Sequence, residues 1–482
     1  MPEKYLKMIL NSPVYDVAYE TPLDRVPRLS DKLENNIFIK REDLQPVFSF
    51  KIRGAYNKIV QLSPSEKQRG VIAASAGNHA QGVALAAERL RIKATIVMPE
   101  TTPEIKIDGV KKFGAKVILH GDDFSTAFAK AQEIANENSL VFIPPFDDPF
   151  VIAGQGTIAL ELLRQYTKNI HAIFVPIGGG GLIAGIGSYI KMVRPEIKII
   201  GVESDESASM HASIKKGRRI KLKNVGIFAD GVAVAQVGKE PFRLAKKVVD
   251  EIVLADVDQI CAAVKDLFED TRAIAEPSGA LAVAGMKNYI RENKVSGKTL
   301  IAINCGANVS FDRLRHISER ANYSEAREAL FAVTIPEKKG SFLAFCKVLG
   351  KRSITEFNYR YSSSKEAHIF VGLALTEGKP ERLKIQETFK QHGYETEDLT
   401  ENDMAKLHIR HMVGGRLNSN EVERIYRFEF PERPGALLNF LNRMGQKWNI
   451  SLFHYRNHGS AFGRVLCGFQ IPQALFPTFN EF

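Results

Sequence analysis

Short, continuously apolar runs alternate with amphipathic stretches through about residue 320, and this alternation restricts the fold more than any other feature. Ala172-Ile173-Phe174-Val175, Ile199-Ile200-Gly201-Val202 and Leu300-Ile301-Ala302-Ile303 have no polar face. A strand built from such a run must be covered on both sides. Helices lying between the strands supply that cover, which predicts an α/β fold with parallel sheets. Further strands are expected at 37–39, 70–73, 94–98, 116–119 and 140–143. Residues 171–190 carry no charge and are long enough to span a bilayer, but four consecutive glycines interrupt them. A buried strand, a glycine turn and a helix start explain that stretch better than a membrane helix.

The pattern changes after Phe311. Residues 313–330 read as a charged, helical connector. Beyond them Ile335-Pro336-Glu337-Lys338-Lys339-Gly340-Ser341-Phe342-Leu343 recurs as Phe430-Pro431-Glu432-Arg433-Pro434-Gly435-Ala436-Leu437-Leu438, 95 residues later. Phe357-Asn358-Tyr359-Arg360 returns as Phe453-His454-Tyr455-Arg456. Each copy reads as strand, turn, helix, strand, strand, helix, the order of a small βαββαβ unit. The second copy is expected to be incomplete, because Phe482 falls where its last helix should be.

A chain of 482 residues predicts two or three domains. The net charge of +11 is compatible with steering an anionic ligand. It does not predict nucleic-acid binding. The densest basic run, Lys215, Lys216, Arg218, Arg219, Lys221 and Lys223, has no aromatic residue interleaved and reads as a solvated loop. Cys261, Cys305, Cys346 and Cys467 are too scattered for a disulfide framework or a zinc site. With no signal-like N-terminus, a cytoplasmic protein with no membrane association is expected.

Three segments carry chemistry. Lys51 stands in Ser49-Phe50-Lys51-Ile52-Arg53-Gly54-Ala55, and a lysine amine catalyses when its charge is removed or it forms an imine. Ser75-Ala76-Gly77-Asn78-His79-Ala80-Gln81-Gly82 is a polar loop before an apolar helix, suited to a carboxylate. Gly178-Gly179-Gly180-Gly181-Leu182 follows a strand and opens a helix, so its backbone N–H groups can converge on a phosphate. This third segment also fits a dinucleotide fingerprint through Gly179, Gly181 and Ala184, with Glu203 at the end of the next strand. Taken alone it divides evenly between the two readings. A nicotinamide enzyme needs no such lysine, so the three segments together favour pyridoxal phosphate held on Lys51 as a Schiff base.

With Thr21-Pro22-Leu23, Lys40-Arg41-Glu42-Asp43, Ala153-Gly154-Gln155-Gly156-Thr157, Ala275-Glu276-Pro277-Ser278-Gly279-Ala280 and Gly306-Ala307-Asn308, the chain resembles the biosynthetic threonine dehydratases. These are fold-type II pyridoxal-phosphate enzymes with C-terminal ACT-like repeats. The resemblance runs nearly end to end. It implies a two-lobed catalytic domain at 1–320, with a small lobe inserted at about 50–150. A connector at 321–330 and ACT-like domains at 331–415 and 426–482 would follow.

The resemblance also implies roles. Lys51 would carry the cofactor and then act as base at the substrate Cα. Phe50 would pack on the cofactor ring, Asn78 would bond its 3′-oxygen, and Gly178, Gly179, Gly180, Gly181 and Leu182 would hold its phosphate. Ser75, Gly77, Asn78 and His79 would hold the substrate carboxylate. Cys305 stands where the family usually has a serine facing the pyridine nitrogen. Its thiol is the weaker hydrogen-bonding group and, unlike an Asp, does not protonate the ring, which favours β-elimination. Ala76 replaces the serine that serves related racemases as a proton donor. Glu203, Ser207 and Ser209 occupy positions that lie beside a cation in relatives. Ser209 there replaces a carboxylate, which weakens a divalent site, so the cation site is expected to be absent or monovalent, with Glu203 its one weak candidate. The implied reaction converts L-threonine to 2-oxobutanoate and ammonia, the committed step of isoleucine biosynthesis, with L-serine a poorer substrate. Isoleucine would inhibit and valine oppose it, through Glu337, Phe342, Glu432, Leu437 and Leu438, in a homotetramer. Another fold-type II activity, such as β-replacement or serine dehydration, and a non-catalytic amino-acid sensor are the alternatives.

Overall fold

The computed structural model describes residues 2–324, 328–338, 340–350, 352–360, 365–402, 423–431, 436–444, 449–456 and 462–470. The chain divides into two units, Met1–Ala321 and Asn322–Phe482.

In the first unit the apolar runs pair as two sheets. The larger has the order β1 (Leu23–Arg25), β2 (Asn36–Arg41), β10 (Thr299–Asn304), β7 (Ala172–Pro176), β8 (Lys198–Ser204), β9 (Glu251–Ala255). All its neighbours are parallel except β1, which runs antiparallel to β2. The smaller sheet is parallel throughout, in the order β5 (Lys116–Leu119), β4 (Ala94–Met98), β3 (Val71–Ala74), β6 (Val141–Phe142). Its strands all lie between β2 and β7 in sequence. β7 is buried along its whole length, as a two-sided covering requires. The sequence expectations omit β1 and β9, and both are edge strands. β9 buries only two of its five side chains and β1 none, so neither carries an uninterrupted buried run. The uncharged stretch at 171–190 resolves into β7, the glycine turn and the helix Gly181–Val193. Among the described residues no helix is long and apolar enough to cross a membrane.

In the second unit the two repeats share one antiparallel sheet. The first contributes β11 (Glu328–Pro336), β12 (Ile354–Arg360), β13 (Glu366–Ala374) and β14 (Glu395–Asp398). The second contributes β15 (Glu423–Pro431), β16 (Asn449–Arg456) and β17 (Phe462–Gln470). The order is β14-β11-β13-β12-β16-β17-β15. The copies meet at β12 and β16, where Phe357 pairs with Tyr455 and Tyr359 with Phe453 about an Asn358↔His454 centre. Phe357 and Tyr359 correspond by sequence to Phe453 and Tyr455, so the register is a local two-fold exchange of equivalent residues. All four rings are buried. Glu328–Leu330 already belong to β11, so the link from the preceding helix, Phe311–Ser324, is shorter than the expected connector. The end of the second copy, 471–482, lies outside the described residues.

Helix Pro149–Gln165 ties the first unit together. Asp148 caps it by accepting from the Phe150 and Val151 N–H groups, and Pro149 starts it. A Cβ on Gly154 would lie 2.6 Å from the Arg53 carbonyl oxygen and 2.8 Å from Gly54 Cα. A Cβ on Gly185 would lie 2.8 Å from Gly156 N. This helix therefore touches the backbone of helix Lys51–Val60 on one side and of helix Gly181–Val193 on the other. Substituting Gly154→Ala should lower stability by about 1–3 kcal/mol, because the neighbouring atoms are rigid backbone. Urea denaturation followed by far-UV circular dichroism measures it; an unmoved midpoint would mean the helices can part without cost.

Candidate functional site

Lys51 opens its helix directly after an antiparallel bridge between Ser49 and Gly306. The Phe50 N–H donates to the Cys305 carbonyl at 3.3 Å, which brings the end of β10 beside the lysine. The Lys51 Nζ donates to the Pro145 carbonyl at 3.2 Å and lies 5.3 Å from the centre of the Phe50 ring. Part of Lys51 faces a cleft. Burial lowers its pKa from the usual lysine range to about 8, only partly opposed by Cys305 and Glu276. A far larger share of this amine is therefore neutral, hence nucleophilic and basic, near neutrality than of an ordinary lysine.

Gly178–Leu182 line the same cleft. The turn admits nothing larger than glycine. Gly180 has φ +91°, a Cβ on Gly179 would strike the Phe146 ring, and one on Gly178 would come within 2.9 Å of Val232 Cα. With no side-chain cap at Gly180, the first N–H groups of helix Gly181–Val193 are left to bind an anion. Glu203 decides against a dinucleotide. Both its oxygens are taken, Oε1 by the Met210 N–H at 2.8 Å and Oε2 by the His211 N–H at 2.7 Å. It is fully buried, which pushes its pKa up to about 7, so it offers no free carboxylate to a ribose. Ser207 and Ser209 are buried nearby in sequence. Among the described residues no group of three or more His, Cys, Asp or Glu forms a metal site.

Of the expected carboxylate binders, Asn78 lines the cleft and His79 follows it in the first turn of the same helix, while Ser75 and Gly77 sit on the loop leading to that helix. The N-cap of helix Asn78–Arg89 is Gly77, which supplies no capping side chain. Ser75 Oγ accepts from the Gly77 N–H at 3.2 Å instead. The His79 ring is buried, with Nε2 2.8 Å from the Ile143 carbonyl oxygen. Burial, reinforced by Lys51, lowers its pKa to about 3. His79 is thus neutral, donates to Ile143, and can offer an anion its backbone N–H but no ring charge.

Several residues of the site were given no role by the sequence reading. Asn78 donates to Glu276 Oε1 at 2.7 Å and accepts from Asn308 Nδ2 at 2.6 Å. Ser278 Oγ also donates to Glu276 Oε1, at 2.7 Å. Cys305 Sγ lies 3.3 Å from the Ser278 carbonyl oxygen. Burial, then Glu276, raises the thiol well above its usual range, so it stays protonated. Only the motif stretches 275–280 and 306–308 signalled these contacts in the sequence. An amine of lowered pKa, a ring-sized wall at Phe50, a neutral thiol and a glycine cradle in one cleft fit pyridoxal phosphate.

In the second unit, Tyr359 donates to the Glu337 carboxylate at 2.8 and 3.0 Å. The Phe342 ring packs on Phe357, Tyr359 and Phe453 with centroids 5.1–5.3 Å apart. Leu438 packs against the same core. Glu432 and the Leu437 side chain lie outside the described residues.

Cofactor capture should report the Lys51 amine. The rate at which cofactor-free protein takes up pyridoxal phosphate should rise with pH as the amine loses its proton, then level off above about 8. An ordinary lysine would keep climbing past about 10. Stopped-flow absorbance distinguishes the two profiles.

The model for "Pyridoxal-phosphate dependent enzyme" matches residues 14–306. That for "C-terminal regulatory domain of Threonine dehydratase" matches 319–409 and 414–481. L-threonine dehydratase biosynthetic IlvA of Burkholderia multivorans is 54% identical over 99% of this chain and 95% of its own length. The Escherichia coli protein of that name is 54% identical over 97% of this chain and 91% of its own. Among solved structures, the processed form of threonine deaminase isoform 2 from Solanum lycopersicum superposes with a TM-score of 0.65 at 52% identity, covering 66% of this chain and 93% of that one. Full-length identity at this level, two successive domain matches and a cleft that fits the cofactor lead to one conclusion: the chain belongs to the biosynthetic threonine dehydratase family of pyridoxal-phosphate-dependent enzymes.

Proposed function

We propose that this protein dehydrates and deaminates L-threonine to 2-oxobutanoate and ammonia and is inhibited by isoleucine. The observation that carries the catalytic half is the Lys51 amine, desolvated to a pKa of about 8 in the cleft that holds the glycine cradle. When bound, pyridoxal phosphate supplies an electron sink that acidifies the substrate Cα–H. Lys51 would hold that cofactor and, once free, accept the Cα proton. Gly178–Leu182 would bind the phosphate and Phe50 would flank the ring. Asn78, oriented by Glu276 and Asn308, would face the 3′-oxygen. The protonated Cys305 thiol would face the ring nitrogen without charging it. Ser75 and the N–H groups at Gly77–His79 would fix the substrate carboxylate. L-Serine, lacking one methyl group, should be the poorer substrate by about 1–3 kcal/mol.

The regulatory half is supported by the domain match at 319–481 and by Glu337. This carboxyl is partly buried, its pKa is raised by that burial, and its described partner is Tyr359. It would suit the ammonium of isoleucine, with valine opposing, in a cytoplasmic homotetramer. The four cysteines are unpaired and buried, which accords with that compartment.

Lys51→Ala should cut threonine turnover by at least about 10²–10⁴-fold, from loss of the base alone; assays of 2-oxobutanoate and ammonia measure it, and undiminished turnover would refute the mechanism. Isoleucine should lower initial rates in the wild type, and Glu337→Gln should shift the inhibition curve to higher isoleucine. A wild-type rate indifferent to isoleucine would remove the feedback claim.

A further inference from the structure

Gln155 is fully buried and lines the cleft, yet its Oε1 has no hydrogen-bond partner among the described residues. A buried amide left unpaired costs about 1–3 kcal/mol, so a native one calls for a ligand. Its room is made by Gly54, where a Cβ would lie 2.8 Å from the Gln155 Cδ. Gly54 is one helical turn beyond Lys51. On the other side, the next residue, Gly156, packs against Gly185, one turn beyond Gly181 at the cradle. Helix Pro149–Gln165 thus holds this amide at the seam between the lysine helix and the cradle helix. The two ends of an amide exchange on a half-turn of the side chain, so a donor can stand where the unpaired atom is.

We infer that Gln155 is a cofactor-binding residue that hydrogen-bonds the phosphate of pyridoxal phosphate, completing the ring of donors begun by the glycine N–H groups. The inference rests on the cofactor reading above. It adds a side chain to a cradle otherwise made of backbone. A hydrogen bond to a charged group is the stronger kind, so its loss is measurable in binding.

The test uses the full chain, stripped of cofactor and titrated separately with pyridoxal phosphate and with pyridoxal, which lacks the phosphate. Gln155→Leu should weaken pyridoxal phosphate binding about tenfold or more and leave pyridoxal binding unchanged. Gln155→Glu, which sets a carboxylate against the phosphate, should weaken the former further, and again not the latter. Thermal melting of the stripped variants checks that they fold. Equal losses for both ligands, or no loss for either, would overturn the assignment. A wild-type chain that binds neither would instead sink the cofactor reading on which it rests.

Discussion

Arg53 lies two residues beyond Lys51 and is fully buried between two carboxylates. Its guanidinium donates to Glu42 at 2.7 and 2.8 Å and to Glu161 at 2.5 and 3.0 Å. Lys40 donates at 2.6 Å to Glu161 Oε2, an oxygen it shares with Arg53, and Thr21 donates to Glu42 at 2.6 Å. Two cations and two anions balance, and the donors and acceptors close on one another. Such a network is weak evidence for stability, because desolvation offsets most of its attraction. Its effect is on placement: losing any one member would strand a buried charge, at about 3–5 kcal/mol. Glu42 follows β2, Glu161 belongs to the central helix, and Arg53 belongs to the lysine helix. The network therefore fixes the position from which Lys51 reaches the cleft, and the Gly54–Gly154 contact fixes its depth.

Around that lysine burial disfavours the charged form of other ionisable groups. His79 is held uncharged by burial, Cys305 keeps its proton, and Glu276 has its pKa raised by burial and by Asp230. The incoming anion is met by helix-start N–H groups whose dipoles are already aligned. The same burial brings the lysine amine near neutrality, so one physical cause prepares both the nucleophile and its surroundings.

The regulatory sheet applies a different constraint. A repeat spaced by 95 residues would also be consistent with two separate βαββαβ units. The structure joins them through β12 and β16, which in isolation would be edge strands with unpaired N–H and C=O groups. Antiparallel pairing of equivalent segments satisfies both edges and stacks the repeated aromatic residues into one core.

Sequence alone determined what short-range chemistry dictates. Continuous apolar runs can only be covered strands, four glycines after a strand can only be a backbone turn, and Lys51 beside Phe50 at a helix start was conspicuous in its own segment. The repeat was visible because it is repeated text. Tertiary structure decided everything that depends on residues far apart in the chain meeting. Glu276 orients Asn78 across 198 positions, Asn308 reaches it across 230, and Glu203 is consumed by its own neighbours rather than left for a ribose. The edge strand β1 escaped notice because it has no apolar run, whereas β9 does have one at 252–255 and the sequence reading passed over it. Residue type and spacing report what a segment can do locally. Which polar atom finds a partner, and which pKa moves, depends on packing and desolvation, which exist only once the chain has folded.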